Sequence, residues 1–257
     1  MPKVAVTIIT RDEAANIEAC LASVAWADEI VVVDSGSTDG TPDLARTAGA
    51  RVVVRPWPGY AAQKNFAAAQ TACDWILSVD ADERVTPALA EEIRRVLAHE
   101  PADAGFRIPR LTWHLGRWIR ATDWYPDYQL RLYDRRRATW PARPVHESVV
   151  ASGRVGRLSH HLQHFAYRDI SHHLDTMNRY TTLAADQMAA DGRRAGFRDL
   201  LLHPPAAFLR NYVLRRGFTA GSAGLIVSAL NAFYVFLKFA KLWAHHHTPS
   251  GRRPPGT

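Results

Sequence analysis

Two acidic turns carry the residue types and spacing for chemistry, and each follows directly on a β-branched run. Ile30-Val31-Val32-Val33 leads into Asp34-Ser35-Gly36-Ser37-Thr38-Asp39-Gly40-Thr41, and Trp75-Ile76-Leu77-Ser78-Val79 leads into Asp80-Ala81-Asp82-Glu83. In the first turn a strand-end carboxylate is followed by small and glycine residues, so the backbone can approach a ligand closely, as in a nucleotide pocket. In the second, two carboxylates one residue apart can share a hard divalent cation. Mg²⁺ or Mn²⁺ prefers a few carboxylates completed by substrate phosphates. One carboxylate of such a pair can ligate the ion while its neighbour meets a sugar or ribose. Either turn alone reads as readily as ordinary capping, with Asp34 closing its own loop and Asp80 or Asp82 opening a helix. Their occurrence at two strand ends of one pattern is what points to a site.

The elements that must position these turns are legible as hydrophobic periods. Short β-branched runs at 4–9, 30–33, 52–54 and 75–79 alternate with helix-period stretches, and Ile17, Cys20, Leu21 and Val24 recur at i, i+3, i+4, i+7. Thr41-Pro42 and Thr86-Pro87 each read as a helix cap followed by proline, and Gly49 closes the second helix. This is the pattern of βαβ units. It predicts an α/β fold with a mostly parallel sheet flanked by helices, whose ligands bind at the carboxyl ends of the strands. From 101 to 165 the helix signal gives way to irregular strands and loops rich in aromatic residues and arginine. From 169 the chain turns helical again, so the reading is a nucleotide-binding and catalytic domain at 1–165, a C-terminal helical extension at 166–248 and a disordered tail at 249–257.

At 257 residues and 47% apolar content the chain can build a sizeable core, which excludes a disordered protein. Two cysteines are too few for a disulfide framework. The strand-like Val4–Thr10 run stands where a signal peptide would carry its apolar region, so the expected compartment is the reducing cytoplasm. The net charge of +7 is unevenly spread: residues 1–100 hold 9 Lys and Arg against 15 Asp and Glu, and residues 101–257 hold 23 against 10. An acidic half suits a metal ion, and a basic half suits phosphates on nucleic acid, on lipid headgroups or on a phosphorylated glycan. Arg131, Arg135, Arg136 and Arg137 suit an acidic ligand because arginine bonds phosphate and carboxylate bidentately. The His160-His161-x-x-His164 group and His172-His173 invite a zinc reading, but no cysteine accompanies them and the soft-metal spacing is absent.

Thr10 to Asn16, Val32 to Thr41, Gln63-Lys64-Asn65 and Val79 to Glu83 resemble, in order and spacing, the nucleotide-binding half of the family 2 glycosyltransferases of the GT-A fold. The resemblance implies that Asp34 meets the nucleobase, with Thr10, Arg11 and Glu13 lining the base pocket beside the Ser35-Gly36 loop. Asp80 and Asp82 would form the DxD-type site, with Asp82 ligating the Mg²⁺ or Mn²⁺ that holds the diphosphate, and Lys64 would approach the UDP-sugar donor; Arg131, on its own chemistry, suits the donor phosphates or an acidic acceptor. Inverting transfer also needs a base for the acceptor hydroxyl. Gln129-Leu-Arg131-Leu-Tyr133 followed by Val145-His146-Glu147 resembles a subgroup acting on the lipopolysaccharide inner core, in which Glu147 would be that base and His146 would orient it or the diphosphate. Glucose from UDP-glucose is the implied transfer, onto a lipid-linked glycan acceptor. The same chemistry on polyprenyl phosphate, a capsule precursor or a protein stays open. Asn178-Arg-Tyr180 and Gly217-Phe218 extend the resemblance. Thr219-Ala220 departs from the Leu-Asp of related sequences, which touches the acceptor and not the donor.

Two other classes fit less of the sequence. A nucleotidyltransferase calls for a glycine-rich, basic phosphate loop after the first strand, and Thr10-Arg-Asp-Glu-Ala is not one. A nucleic-acid-binding module explains the basic half, but paired carboxylates at a strand end would repel the same phosphates, so no nucleic-acid partner is expected. Residues 223–237 form the most apolar stretch, interrupted by Asn231 and followed by Lys238 and Lys241, short of the roughly 20 residues of a span. The expectation is a helix lying peripherally on the inner face of the cytoplasmic membrane, with Arg210, Arg215, Arg216, Lys238 and Lys241 toward anionic headgroups; the alternative is a buried helix covering the domain.

Overall fold

A computed structural model describes residues 2–141 and 148–247. The chain divides into two compact units, the first drawn from Met1–Thr112 and Pro126–Ala166, the second from Trp113–Tyr125 and Tyr167–Thr257. In chain order the first unit begins β1 (Val4–Thr10), α1 (Ala14–Val24), β2 (Glu29–Asp34), α2 (Thr41–Thr47), β3 (Arg51–Val54), α3 (Tyr60–Ala69), β4 (Trp75–Asp80), β5 (Glu83–Val85) and α4 (Pro87–Ala98). β6 (Gly105–His114) leaves the first unit at Thr112, and β7 (Arg117–Ile119) lies wholly in the second. The first unit resumes with β8 (Asp127–Asp134), β9 (Ala138–Thr139), β10 (Val150–Ala151), β11 (Val155–Arg157) and β12 (Leu162–His164).

β1 is buried along its whole length, and its backbone pairs on both sides with parallel strands, β2 and β4. Register sets the position of the acidic turns, since Thr10 stands opposite Asp34 while Ile9 stands opposite Asp80. Both turns therefore emerge at the same edge of the sheet, at the carboxyl ends of β2 and β4 on either side of β1. The main path of the sheet runs β3-β2-β1-β4-β8-β6-β12-β5. It is parallel from β3 to β4, and β8 then lies antiparallel to both β4 and β6, so the sheet is parallel in one half and mixed in the other. Ile17, Cys20, Leu21 and Val24 are all buried, as the helical spacing predicts, in a core shared with β1, β4 and α4. Both cysteines are buried and unpaired.

The two proline-marked helix starts differ. Thr86 caps α4, its hydroxyl accepting from Leu89 N–H at 3.2 Å. Thr41 is instead the first residue of α2, with Gly40 at the cap position and φ 86°. The Thr41 hydroxyl serves the neighbouring loops, donating to Asp39 Oδ1 at 2.5 Å and accepting from Glu13 N–H at 2.9 Å.

The second unit holds α5 (Ile170–Ala190), α6 (Phe197–Leu209) and α7 (Gly221–His247), with α5 and α6 each packed on α7. Ile119 of β7 is buried with Ala223 and Val227 of α7, and Leu115 and Trp124 pack against them. A Cβ built on Gly224 would fall 1.8 Å from the carbonyl oxygen of Gly217, so the chain closes on itself at a distance only glycine permits. The terminal helix also exceeds the sequence expectation. The stretch Gly217–His247, 31 residues, is by length and composition the one described helix able to cross a membrane. Neither Asn231, half-buried, nor Lys238 interrupts it. Only 28% of its apolar window is buried, which does not suit a helix serving merely to cover a core.

Candidate active site

The carboxyl end of β4 is the centre of a buried ionic network. Asp80 accepts from Lys64 Nζ at 2.8 Å on Oδ1 and from Arg131 Nη2 at 2.5 Å on Oδ2. Glu83, fully buried, accepts from the Asp80 backbone N–H at 2.9 Å and from Arg131 Nη2 at 2.8 Å, and Arg110 Nη1 lies 3.4 Å from it. Strand register supplies the rest, because Arg110 of β6 stands opposite Asp127 of β8 and bonds its Oδ2. Asp127, Gln129 and Arg131 occupy alternate positions of β8, and although the pairing with β6 is irregular at Arg131, its guanidinium reaches the same Glu83 oxygen as that of Arg110. Lys64 is held from α3 with its ammonium 4.4 Å from the centre of the Trp140 ring.

Ionisation here follows from partners rather than from water. Burial opposes the charge on Asp80, but Arg131 and Lys64 outweigh it and hold the carboxyl well below its usual range. Burial likewise opposes the charge on Arg131, and Asp80 and Glu83 reverse that, raising its pKa. For Lys64 burial wins over Asp80 and the pKa falls. Asp80 is thus pinned through both oxygens by charge-assisted bonds.

Asp82 is arranged differently. Its backbone carbonyl accepts from Phe165 N–H at 2.9 Å, and its partly open side chain faces His164, with Nε2 3.4 Å from Oδ2. Burial and the neighbouring Asp80 oppose the charge on Asp82, but His164, with a smaller share from Arg110, outweighs them and lowers the Asp82 pKa. The Thr112 hydroxyl lies 3.4 Å from His164 Nδ1. An imidazole nitrogen facing a carboxylate needs a proton or a metal ion between them. Among the described residues no cluster of three or more His, Cys, Asp or Glu could hold a metal by itself. Asp82 and His164 fit an ion of the Mg²⁺ or Mn²⁺ type that takes few protein ligands and completes its shell with phosphates and water. The charge balance agrees: four carboxylates, Asp80, Asp82, Glu83 and Asp127, face three cations, Lys64, Arg110 and Arg131.

The first acidic turn lies at the same edge of the sheet, across β1 from this network. Asp34 is buried and engaged with its own loop, accepting from the N–H groups of Gly36 and Ser37 at 2.9 Å and from the Ser37 hydroxyl at 2.5 Å. Ser35 Oγ accepts from Gln63 Nε2 at 3.2 Å. Three buried polar atoms, Thr10 Oγ1, Gln63 Oε1 and Arg131 Nε, have no hydrogen-bond partner among the described residues. Such atoms cost about 1–3 kcal/mol each unless a water or ligand meets them. Glu13 accepts from Asn16 Nδ2 at 2.8 Å, while Arg11 is exposed and lies 3.8 Å from Asp12. Thr10, Asp34, Ser35 and Gly36 therefore gather at the ends of β1 and β2, and Lys64, Asp80 and Arg131 form one bonded cluster. His146 and Glu147 lie outside the described residues. Arg110 and Asp127, which the sequence reading did not single out, belong to the same constellation, together with Glu83, quoted only as part of the acidic turn, and His164, weighed only in a zinc group and set aside.

Residues 5–152 match the family model described as Glycosyl transferase family 2, more than half of the chain. The chain is a family 2 glycosyltransferase. Its first unit is α/β with a sheet flanked by helices, as the sequence pattern predicted. This glycosyltransferase is 36% identical over 246 residues to the lipopolysaccharide core biosynthesis glycosyltransferase LpsC of Rhizobium meliloti (strain 1021), spanning 93% of this chain and 91% of that protein. It is 32% identical over 254 residues to an uncharacterized glycosyltransferase of Rickettsia typhi, spanning 94% and 87%. Among solved structures, glucosyl-3-phosphoglycerate synthase from Mycobacterium tuberculosis, in complex with Mn²⁺, UDP and glucosyl-3-phosphoglycerate, is similar at 25% identity over 44% of each chain, with a TM-score of 0.37. At that overlap the likeness decides nothing about this site.

Proposed function

We propose that this glycosyltransferase moves glucose from UDP-glucose, with inversion and with Mg²⁺ or Mn²⁺ bound, onto a lipid-linked glycan such as the lipopolysaccharide inner core. The observation that carries the proposal is the division of labour in Asp80-Ala81-Asp82, where Asp80 is locked between Lys64 and Arg131 while the Asp82 side chain, among the described residues, pairs with His164 alone and remains partly open. A divalent ion on Asp82 and His164 would neutralise charge developing on the leaving diphosphate. Lys64 and Arg131 fix Asp80 so that its position does not change as the donor enters. The unpartnered Thr10 Oγ1 and Gln63 Oε1 are available to the nucleoside, and Asp34 shapes the loop whose backbone would line it. Glu147 is proposed on sequence grounds as the group that takes the acceptor proton, oriented by His146. Kinship with LpsC supports the lipopolysaccharide core acceptor. The exposed apolar helix Gly217–His247 supports membrane association, proposed here as a peripheral position on the inner face of the cytoplasmic membrane.

The deciding experiment is calorimetric titration of the purified protein with nucleotide sugars, with and without Mn²⁺ or Mg²⁺. Metal-dependent binding of UDP-glucose, lost in Asp82→Ala, is expected; equal affinity in the variant would remove Asp82 as the ligand. Glu147→Gln should keep donor affinity and lower transfer by at least about a hundredfold. Full activity in that variant retires the assignment.

A further inference from the structure

Between Arg120–Tyr125 and Leu214–Thr219, wholly inside the second unit, lies an open cleft of about 430 Å³. Arg120, Arg215 and Arg216 line it together with Thr122, Tyr125 and Thr219. Two non-glycine residues of its wall, Thr122 at φ 66° and Arg216 at φ 56°, sit in the left-handed region, which a β-branched residue rarely adopts. The surroundings enforce both. Thr122 N–H donates to Arg215 O at 2.9 Å, and the buried Asn211 accepts from Asp123 N–H at 2.9 Å while donating to Asp123 Oδ2 at 3.1 Å. Gly217, following Arg216, packs so closely that a Cβ there would meet Asn211 O at 2.9 Å. Strain held this firmly clusters at binding sites.

The charges of the cleft are unbalanced. Asp123 is neutralised by Arg210, with Nη2 at 2.8 Å, and approached by Arg215, with Nε at 3.4 Å. Arg120 and Arg216 take no side-chain hydrogen bond or ion pair among the described residues, so the cleft carries a clear positive surplus. Leu214 in its lining is 76% exposed, and Val213 and Phe218, each next in the chain to a lining residue, are about half exposed. Bulky apolar side chains beside free guanidinium groups match the two parts of an amphiphile, since arginine bonds phosphate oxygens bidentately while the apolar side chains leave water for hydrocarbon.

We infer that this cleft binds the phosphate headgroup of an anionic phospholipid, with Leu214, Val213 and Phe218 entering the acyl region. The inference rests on the reading of the C-terminal helices as membrane-facing and names the headgroup site within that contact. Gly217-Phe218, which the transfer chemistry does not use, thereby gains a role at the cleft's edge.

The test is flotation of the full chain with phosphatidylcholine vesicles and with vesicles that also contain phosphatidylglycerol, comparing wild type with the double variant R120A/R216N. Asparagine tolerates the left-handed conformation, so the second substitution removes the charge and keeps the backbone. An unchanged thermal midpoint checks the fold. Wild type is expected on the anionic vesicles, and the variant should fall at least about tenfold toward its level on neutral vesicles. Equal recovery of both proteins on anionic vesicles overturns the site. Wild type absent from both vesicle types overturns the lipid, and loss of glycerol phosphate binding in the variant would then assign the cleft to a water-soluble phosphate ligand. UDP-sugar titration of the same preparations reports on the donor site separately, so failure of the transferase reading is not confused with failure here.

Discussion

In the first unit Lys64, Asp80, Glu83 and Arg131 are largely removed from water and satisfy one another, whereas in the second Arg120, Arg215 and Arg216 stand in solvent beside exposed Leu214 and Phe218. The buried network takes its desolvation cost at folding, so its charges already point where a ligand will sit. The exposed arginines contribute little to stability but keep their hydrogen-bonding capacity for a partner. Rigid complementarity to a small polar ligand and adaptable contact with an extended surface are different problems, and this chain meets them with opposite treatments of arginine.

Arg131→Met should sharpen that contrast most, because it leaves Asp80 and Glu83 without their shared guanidinium. A loss of about 3–5 kcal/mol in urea unfolding is expected. A loss below about 1 kcal/mol would mean that the network is not what holds the first unit's site in place.

Acid should separate the two regions next. His173 is buried in the second unit, stacked on Tyr167 at 4.0 Å with Nδ1 3.2 Å from His114 Nε2. Burial, then His114 and His172, lower its pKa from 6.5 to about 4. Between those values the unfolded imidazole binds a proton that the folded one does not, so stability falls as pH drops through that window, by at most about 3 kcal/mol. Asp80 and Asp82 have pKa values below 3.8, so their contribution is present above that pH and is lost only as pH falls further. Circular dichroism from pH 7 to 4 should therefore show destabilisation that His173→Phe flattens. An unchanged slope in the variant would place the acid-sensitive groups elsewhere.

The smallest effect concerns Leu214→Ser, which should change unfolding free energy by no more than about 0.5 kcal/mol because the side chain is already exposed. Its vesicle recovery should nevertheless fall. Lost stability with unchanged recovery would reverse the roles assigned to the exposed apolar residues.

Much of the first unit could be read in advance because its signals are local. The runs at 4–9, 30–33, 52–54 and 75–79 became β1 to β4, the helical spacing of Ile17 to Val24 located the buried face of α1, and the strand-end turns placed Asp34 and Asp80. What escaped is non-local. Arg131 meets Asp80 across 51 residues, and His164 reaches Asp82 from β12, the last described strand in the chain. The alternate spacing of Asp127, Gln129 and Arg131 was a usable signal, but nothing in one sequence marks the opposing Arg110. In the second unit, Asn231 and Lys238 shortened the apolar stretch on paper, although both fit within one continuous helix. Thr122 and Arg216 give no hint of left-handed backbone, because tertiary hydrogen bonds and the glycine contact impose it.

The passage of β6 into the second unit matters for how the chain is made. Residues 113–125 are synthesised before any other part of their unit, and Ile119 must await Ala223 and Val227, roughly a hundred residues later. At about 5–20 residues per second, that leaves several seconds in which an apolar segment has emerged without its cover. A C-terminally shortened chain would make the interval permanent, so the last helix acts as the closing step of biosynthesis for a segment translated long before it.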